Sequence, residues 1–360
     1  MKLSIISCSL CLLLLLCTYE QNFGQKTVKN LMGKEVAVGS IDSFLETTMK
    51  KLQVPGASLV LINDGKVVYK TSKGFADIER QIKVTSKTIF EGASLSKPLF
   101  AYFAMMDVEQ GLLDLDTPLF RYLPYNDIAH DERYKKITAR MVLSHTSGFP
   151  NWRSDSGGVK LKIKFAPGTS FEYSGEGYQY LAKVLAHIHN TNDKGLEALF
   201  QKRVAQPLQM KFTKYIQDNY NVQNKAQPYD KGKRIKGEEV NNEFGSAYSI
   251  HTNVEDFSKW VLTLLEEKGL SQSSYKELFK PQVILPENSR HRQQGVVHWT
   301  LGFAEAHMPF GAVYGHGGNN PGYTSLFTIN REKKWAFIMF TNANQSMLAL
   351  QTLLFLNNGK

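Results

Sequence analysis

The chain has 360 residues, an apolar fraction of 42% and a formal charge of +10 at neutral pH. This composition excludes a disordered chain, and the length allows a large core in about two domains. The basic residues are scattered, as at Lys211, Lys214, Lys231, Lys233 and Arg234, with no stripe or nucleic-acid motif. The charge therefore reads as a solvated surface, and no nucleic-acid partner is expected.

Met1-Lys2 precedes an apolar run over 3–17, which is followed by polar Thr18, Glu20 and Gln21. Charge, apolar core and polar exit in that order make a secretory signal over 1–24, with the exported domain over 25–360. The expected location is periplasmic or secreted. Two exits are open: cleavage near Gly24, or lipid anchoring to the envelope at Cys17. Leu14-Leu15-Leu16-Cys17 resembles a bacterial lipoprotein site, although Leu16 stands where a small residue is usual. That anchor would be the only membrane attachment, since no later apolar run reaches the roughly 20 residues of a span. Cys8, Cys11 and Cys17 all fall in this segment, so its removal leaves neither a disulfide nor a thiol nucleophile.

Along the chain, Phe44, Leu45, Met49 and Leu52 predict an amphipathic helix over 41–52. Two strands follow, over 57–62 and 67–69, joined by Asn63-Asp64-Gly65-Lys66, a hairpin signal. Ser94-Leu95-Ser96-Lys97-Pro98 then runs into Leu99, Phe100, Phe103, Ala104 and Val108 at helical spacing, so a buried helix follows the serine. Pro98 disfavours helix at Lys97 and allows the helix to start at Pro98 instead. Further helices are expected over 137–143, 177–189, 196–204 and 253–265, the last capped by Asn253. The polar stretch 221–242 reads as a long surface excursion. Strands over 323–329 and 335–341 flank a turn at 330–334, and 348–355 closes the chain as a helix. With strands at both ends and helices between, the chain folds back on itself to give one mixed sheet with a large helical insertion.

Ser94 and Lys97 share a helical face one turn apart. A serine hydroxyl needs a base within reach, and a lysine serves if burial or nearby charge lowers its pKa. Tyr173 lies in a turn before a helix, where a neighbouring cation would favour its phenolate and let it relay the serine proton. Gly315 to Gly322 holds His316, Gly317, Gly318 and Asn319, and its glycines let a substrate carbonyl approach free amides. His145 belongs to a tight hydrogen-bonded turn. His187 and His189 fall on different faces of their helix and no other histidine pair has ligand spacing, so neither a metal nor a cofactor is expected.

Ser94-Leu95-Ser96-Lys97, Leu143-Ser144-His145-Thr146-Ser147-Gly148, Pro167-Gly168-Thr169 with Tyr173-Ser174-Gly175, and His316-Gly317-Gly318 occur in that order. Together they resemble the serine β-lactamase-related family, close to class C β-lactamases, D-Ala-D-Ala carboxypeptidases and family VIII esterases. The resemblance covers roughly 40–345. It implies an α+β fold: a five-stranded antiparallel sheet flanked by helices, with a helical subdomain over roughly 94–245, all in one catalytic domain over 25–360. It also implies Ser94 as nucleophile of an acyl-enzyme, Lys97 and Tyr173 sharing the proton work, and His316 in the usual lysine position. The backbone amides of Ser94 and Asn319 would form the oxyanion hole. Two departures stand out. Gly175 replaces the asparagine of the second motif, and His316 replaces the lysine typical of efficient β-lactamases. Both favour a serine hydrolase of ester or peptide substrates, with D-amino-acid or peptidoglycan-derived peptides included. β-Lactamase or carboxypeptidase activity is the alternative. A non-catalytic penicillin-recognition protein is the reading of a different class, permitted by Gly175.

Overall fold

The computed structural model describes residues 26–157, 160–237, 242–308 and 311–358. The signal segment expected over 1–24, with Cys17, lies outside them. Strands Gly56–Asn63 and Lys66–Asp77 form the expected hairpin, the second running well past 69. Its turn residues Asp64 and Gly65 have φ of 50° and 72°, as a two-residue turn between right-twisted strands requires. On its other edge Gly56–Asn63 pairs with Trp335–Thr341, from Ala57 opposite Thr341 to Ile62 opposite Ala336. This pair joins the two ends of the chain. Tyr323–Asn330 and Gly311–Asn320 continue the sheet outward.

These five strands are the antiparallel sheet the resemblance implied. Four short strands extend it to nine: Ile82–Lys83 at one edge, and Ala304–Met308, Val296–Trp299 and Val283–Ile284 at the other. Every pair is antiparallel, so the mixed sheet expected from element order is corrected. Most neighbours are joined by short hairpin links, which permit only antiparallel pairing, and the fold-back pair runs the same way.

Leu59, Leu61, Phe337 and Met339 point to one face, and Val60, Ile338 and Phe340 to the other. Both faces are covered, which is why these strands read as continuous apolar runs rather than alternating ones. The first face is covered by helices Val38–Leu52 and Met347–Asn358, whose Phe44 and Phe355 rings stack at 4.2 Å. The second is covered by Ser96–Glu109 and Val254–Leu265, with Phe257 against Phe340 and Phe327. Asn253 caps the latter helix by accepting from the Asp256 amide at 2.8 Å.

The middle of the chain carries helices Ala139–Leu143, Gly175–Ile188 and Asp193–Phe200, the last continued by one wider turn through Ala205. The 221–242 stretch is corrected where it is described. Helix Asn219–Asn224 overlaps its start, Ala226 and Tyr229 are buried, and Tyr229–Asp230 pairs with Lys233–Arg234. The Tyr229 hydroxyl accepts from the Ile78 amide at 2.8 Å, which ties the stretch to the sheet. Among the described residues no helix is long and apolar enough to cross a membrane.

Candidate active site

Ser94 sits in the turn between strand Phe90–Ala93 and helix Ser96–Glu109. The helix begins before Pro98, whose missing N–H costs nothing in a first turn. Ala93 has φ of 50°, a left-handed conformation that costs a non-glycine residue free energy and needs external support. Ser96 provides it: its hydroxyl donates to the Ala93 carbonyl at 2.6 Å and accepts from the Ile250 amide at 2.9 Å. Thus Ser96 locks the sharp bend that presents Ser94.

Lys97 reaches Ser94 across one helical turn, with Nζ 3.2 Å from Oγ. The ammonium also donates to the Ala247 carbonyl at 2.8 Å and lies 4.6 Å from the Tyr173 ring centre. Lys97 is only 1% exposed, and no described carboxylate offsets its burial. Burial without a counter-charge disfavours the ammonium and brings its pKa from 10.5 to about 7. The free amine is therefore within reach near neutral pH.

The phenolate expected of Tyr173 is corrected. Burial pushes its pKa up, against a lowering hydrogen bond with Ser94, so it remains a phenol. His316 Nδ1 lies 2.6 Å from the Gly317 carbonyl, which can only accept, so Nδ1 carries the proton. Nε2 is then an acceptor for the Tyr173 hydroxyl 3.4 Å away. Burial first, and the Lys97 charge second, hold His316 at about 3, against a lesser raising effect from Gly317, so it is neutral. His145 is likewise neutral, pushed well below 6.5 by burial and then by Lys97. It stands in the expected tight turn, at φ of 59°, and its Nδ1 accepts from the Ser174 amide at 3.0 Å. Its ring supports Tyr173 at 4.4 Å. His291 also stacks on Tyr173, at 5.5 Å, and Trp299 closes the wall at 5.8 Å from Tyr173 and 5.5 Å from His316.

Strand Gly311–Asn320 pairs with Tyr323–Asn330 from Tyr314 to Asn320, but its other partner stops at Gly315. Residues 316–320 therefore offer one strand edge toward Ser94. His316, Gly318 and Asn320 are buried while Gly317 and Asn319 are exposed, the alternation of a strand. Gly318 lies against the Ser94 turn, where a Cβ would overlap the Gly92 carbonyl and Ser325 Oγ and come 3.1 Å from the Ser94 amide. Only glycine lets the two amide-bearing segments approach so closely. Asn320 donates to buried Glu91 at 2.8 Å, and Lys225 reaches the same carboxylate at 2.9 Å. Burial raises the Glu91 pKa, but His251, Lys225 and Asn320 outweigh it and bring it to about 2. This buried carboxylate, three residues before Ser94, ties the Ser94 turn to the strand that ends at Asn320.

Gly175 leaves no gap where an asparagine would stand. It opens helix Gly175–Ile188, its amide donates to Asn151, and the Trp152 ring fills the space a side chain would use, 2.6 Å from the position of a Cβ. Gly175 is therefore packed beneath an indole and cannot orient a substrate through a side chain.

A family model described as Beta-lactamase matches residues 41–354. The chain belongs to the Beta-lactamase family. It is 25% identical over 327 residues to Protein flp of Staphylococcus aureus (strain MW2), an alignment covering 84% of this chain and 63% of that protein. The chain thus spans less than two thirds of the length of that relative. It is 26% identical over 198 residues to Esterase EstB of Burkholderia gladioli, covering 48% of this chain and 50% of the esterase. Its fold matches the D-amino acid amidase from Ochrobactrum anthropi SV3 with a TM-score of 0.72 at 21% identity, over 89% of this chain and 98% of that one.

Of the residues picked from the sequence of this Beta-lactamase family member, Ser94, Lys97, Tyr173, His316 and Gly318 come together in space, while Gly175, Gly317 and Asn319 are their near neighbours in the chain. Ala247, Trp152, His291 and Trp299 were missed. The apolar run at 296–299 was a legible strand signal for Trp299, whereas nothing marks a backbone carbonyl such as that of Ala247.

Proposed function

We propose that this chain is an exported serine hydrolase that cleaves small ester or peptide substrates through an acyl-enzyme on Ser94. The observation that carries this is the buried Lys97 amine, with a pKa of about 7, at 3.2 Å from the Ser94 hydroxyl. The free amine takes the Ser94 proton as Oγ attacks the substrate carbonyl carbon. The resulting oxyanion is assigned to the amides of Ser94 and Asn319, which Gly318 allows to converge. The proton then passes from Lys97, directly or through the Tyr173 phenol, to the leaving alkoxide or amine as the bond to carbon breaks. Water, deprotonated by the same amine, releases the acid and restores Ser94.

Esters are the favoured substrate class. A β-lactam needs its side-chain amide and carboxylate held, but Trp152 fills the place of the orienting asparagine and His316 is uncharged. The local similarity to an esterase supports this reading, and the amidase-like fold keeps D-amino-acid peptides, including peptidoglycan-derived ones, as the next class to try. A fluorophosphonate probe followed by mass spectrometry should modify Ser94, and S94A should abolish turnover of an activated acyl ester while remaining folded. Modification elsewhere, or undiminished turnover by S94A, would overturn the proposal.

A further inference from the structure

Away from Ser94, three side chains converge on the outer ribbon of the sheet. His298 on Val296–Trp299 lies directly opposite Glu305 on Ala304–Met308, and His307 lies two residues beyond Glu305 on the same strand face. One ligand atom from each falls within 4.8 Å of the others. His307 Nε2 is 2.8 Å from one Glu305 oxygen, and His298 Nδ1 is 3.5 Å from the other.

Glu305 has a side chain only 4% exposed, and no described lysine or arginine pairs with it. Its Oε2 and the facing His298 Nδ1 are both buried and make no hydrogen bond. A carboxylate taken from water needs a positive partner and filled lone pairs. Two imidazoles and one carboxylate are also the donor set that borderline divalent ions prefer, whereas magnesium and calcium favour oxygen alone. Tetrahedral zinc separates its ligand atoms by about 3.3 Å, so small side-chain rotations close this cluster around an ion.

We propose that His298, Glu305 and His307 bind a divalent transition-metal ion, zinc foremost, leaving one coordination position to water. The role is structural. Trp299, next to His298 in the same strand, faces the opposite way and packs against Tyr173 and His316. An ion here would clamp the two-stranded ribbon whose inner side walls the active site.

The test uses untagged full-length protein freed of metal by chelation and dialysis. His307 is 54% exposed, so H307A removes a ligand without opening the core. Wild type should retain one zinc per chain at micromolar free Zn2+ by elemental analysis. Bound cobalt should give the visible bands of a tetrahedral site, and zinc should raise the melting temperature by roughly 5 °C or more. H307A, compared with its own metal-free melting temperature, should bind zinc about a hundredfold more weakly than wild type and show no zinc-dependent shift. Sub-stoichiometric zinc in wild type, or equal affinity in H307A, would refute the site, and stabilisation by calcium equal to that by zinc would refute the donor assignment.

Discussion

The proton on Lys97 should control acylation, and its titration separates this lysine from every neighbouring base. With a pKa of about 7, Lys97 is about one tenth free amine at pH 6, half at pH 7 and about nine tenths at pH 8. The kcat/KM for a short acyl ester should rise about tenfold between pH 6 and pH 8 and level above that. The other groups titrate elsewhere: His316 lies at about 3, His145 lower than 6.5, and Tyr173 remains protonated. His291 is also held below 6.5, by burial and then by Arg290, so H291N serves as the control and should leave the midpoint in place. K97R keeps a cation but cannot lose its proton, so it should lower kcat/KM by about 10²–10⁴-fold and remove the rising limb. The assay is initial-rate hydrolysis at constant ionic strength, with circular dichroism to verify folding at each pH. A rate independent of pH from about 5.5 to about 8.5, or a limb that moves with H291N and persists in K97R, would show that Lys97 is not the base.

K97M should be more stable than wild type at pH 6, by about 3–6 °C in melting temperature, because it removes a buried charge that has no counter-ion. The folded pKa of about 7 lies below the unfolded 10.5, so the unfolded chain holds more protons between those values and wild-type stability climbs across that window. The advantage of methionine is therefore fullest below pH 7 and shrinks above it; thermal melts at pH 6 and pH 9 test this. G318A should cost about a hundredfold in kcat/KM with little loss of ester binding, because the strand must retreat from the Ser94 amide; equal kinetics would dismiss the close-approach argument. A chromogenic cephalosporin should be hydrolysed at a lower kcat/KM than short acyl esters, and the reverse order would overturn the reading of Gly175 and His316. G175N alone should not gain cephalosporin hydrolysis and should be destabilised by about 1–3 kcal/mol in a denaturant melt, since Trp152 occupies the needed space.

Elements with a local signature were legible in the sequence. The Asp64-Gly65 turn, the Asn253 cap and the apolar runs near both ends depend on interactions within a few residues, and each stands where it was expected. The short edge strands were not legible, because two to five residues carry too little pattern and owe their pairing to neighbours. The 221–242 stretch misled for a related reason. Its polar composition masked Ala226 and Tyr229, whose burial depends on the sheet they meet.

For the site, the residue types and their order in the chain named Ser94, Lys97, Tyr173 and His316, because nucleophile, base and relay are chemical identities that a sequence carries directly. Which of them bears a charge was decided only by tertiary structure. Desolvation depends on what surrounds a group in space, and it brings Lys97 down to about 7 and pushes Tyr173 up. The same holds for Gly175, which the sequence presents as a missing side chain and the fold presents as a place taken by Trp152. It holds again for His298, Glu305 and His307, since only strand register brings the residue before Trp299 opposite Glu305. The sequence by itself determined which chemical groups were available and which short segments would be strand, helix or turn. Distance and burial between segments far apart in the chain arise only when it folds back, and they decided what those groups can do.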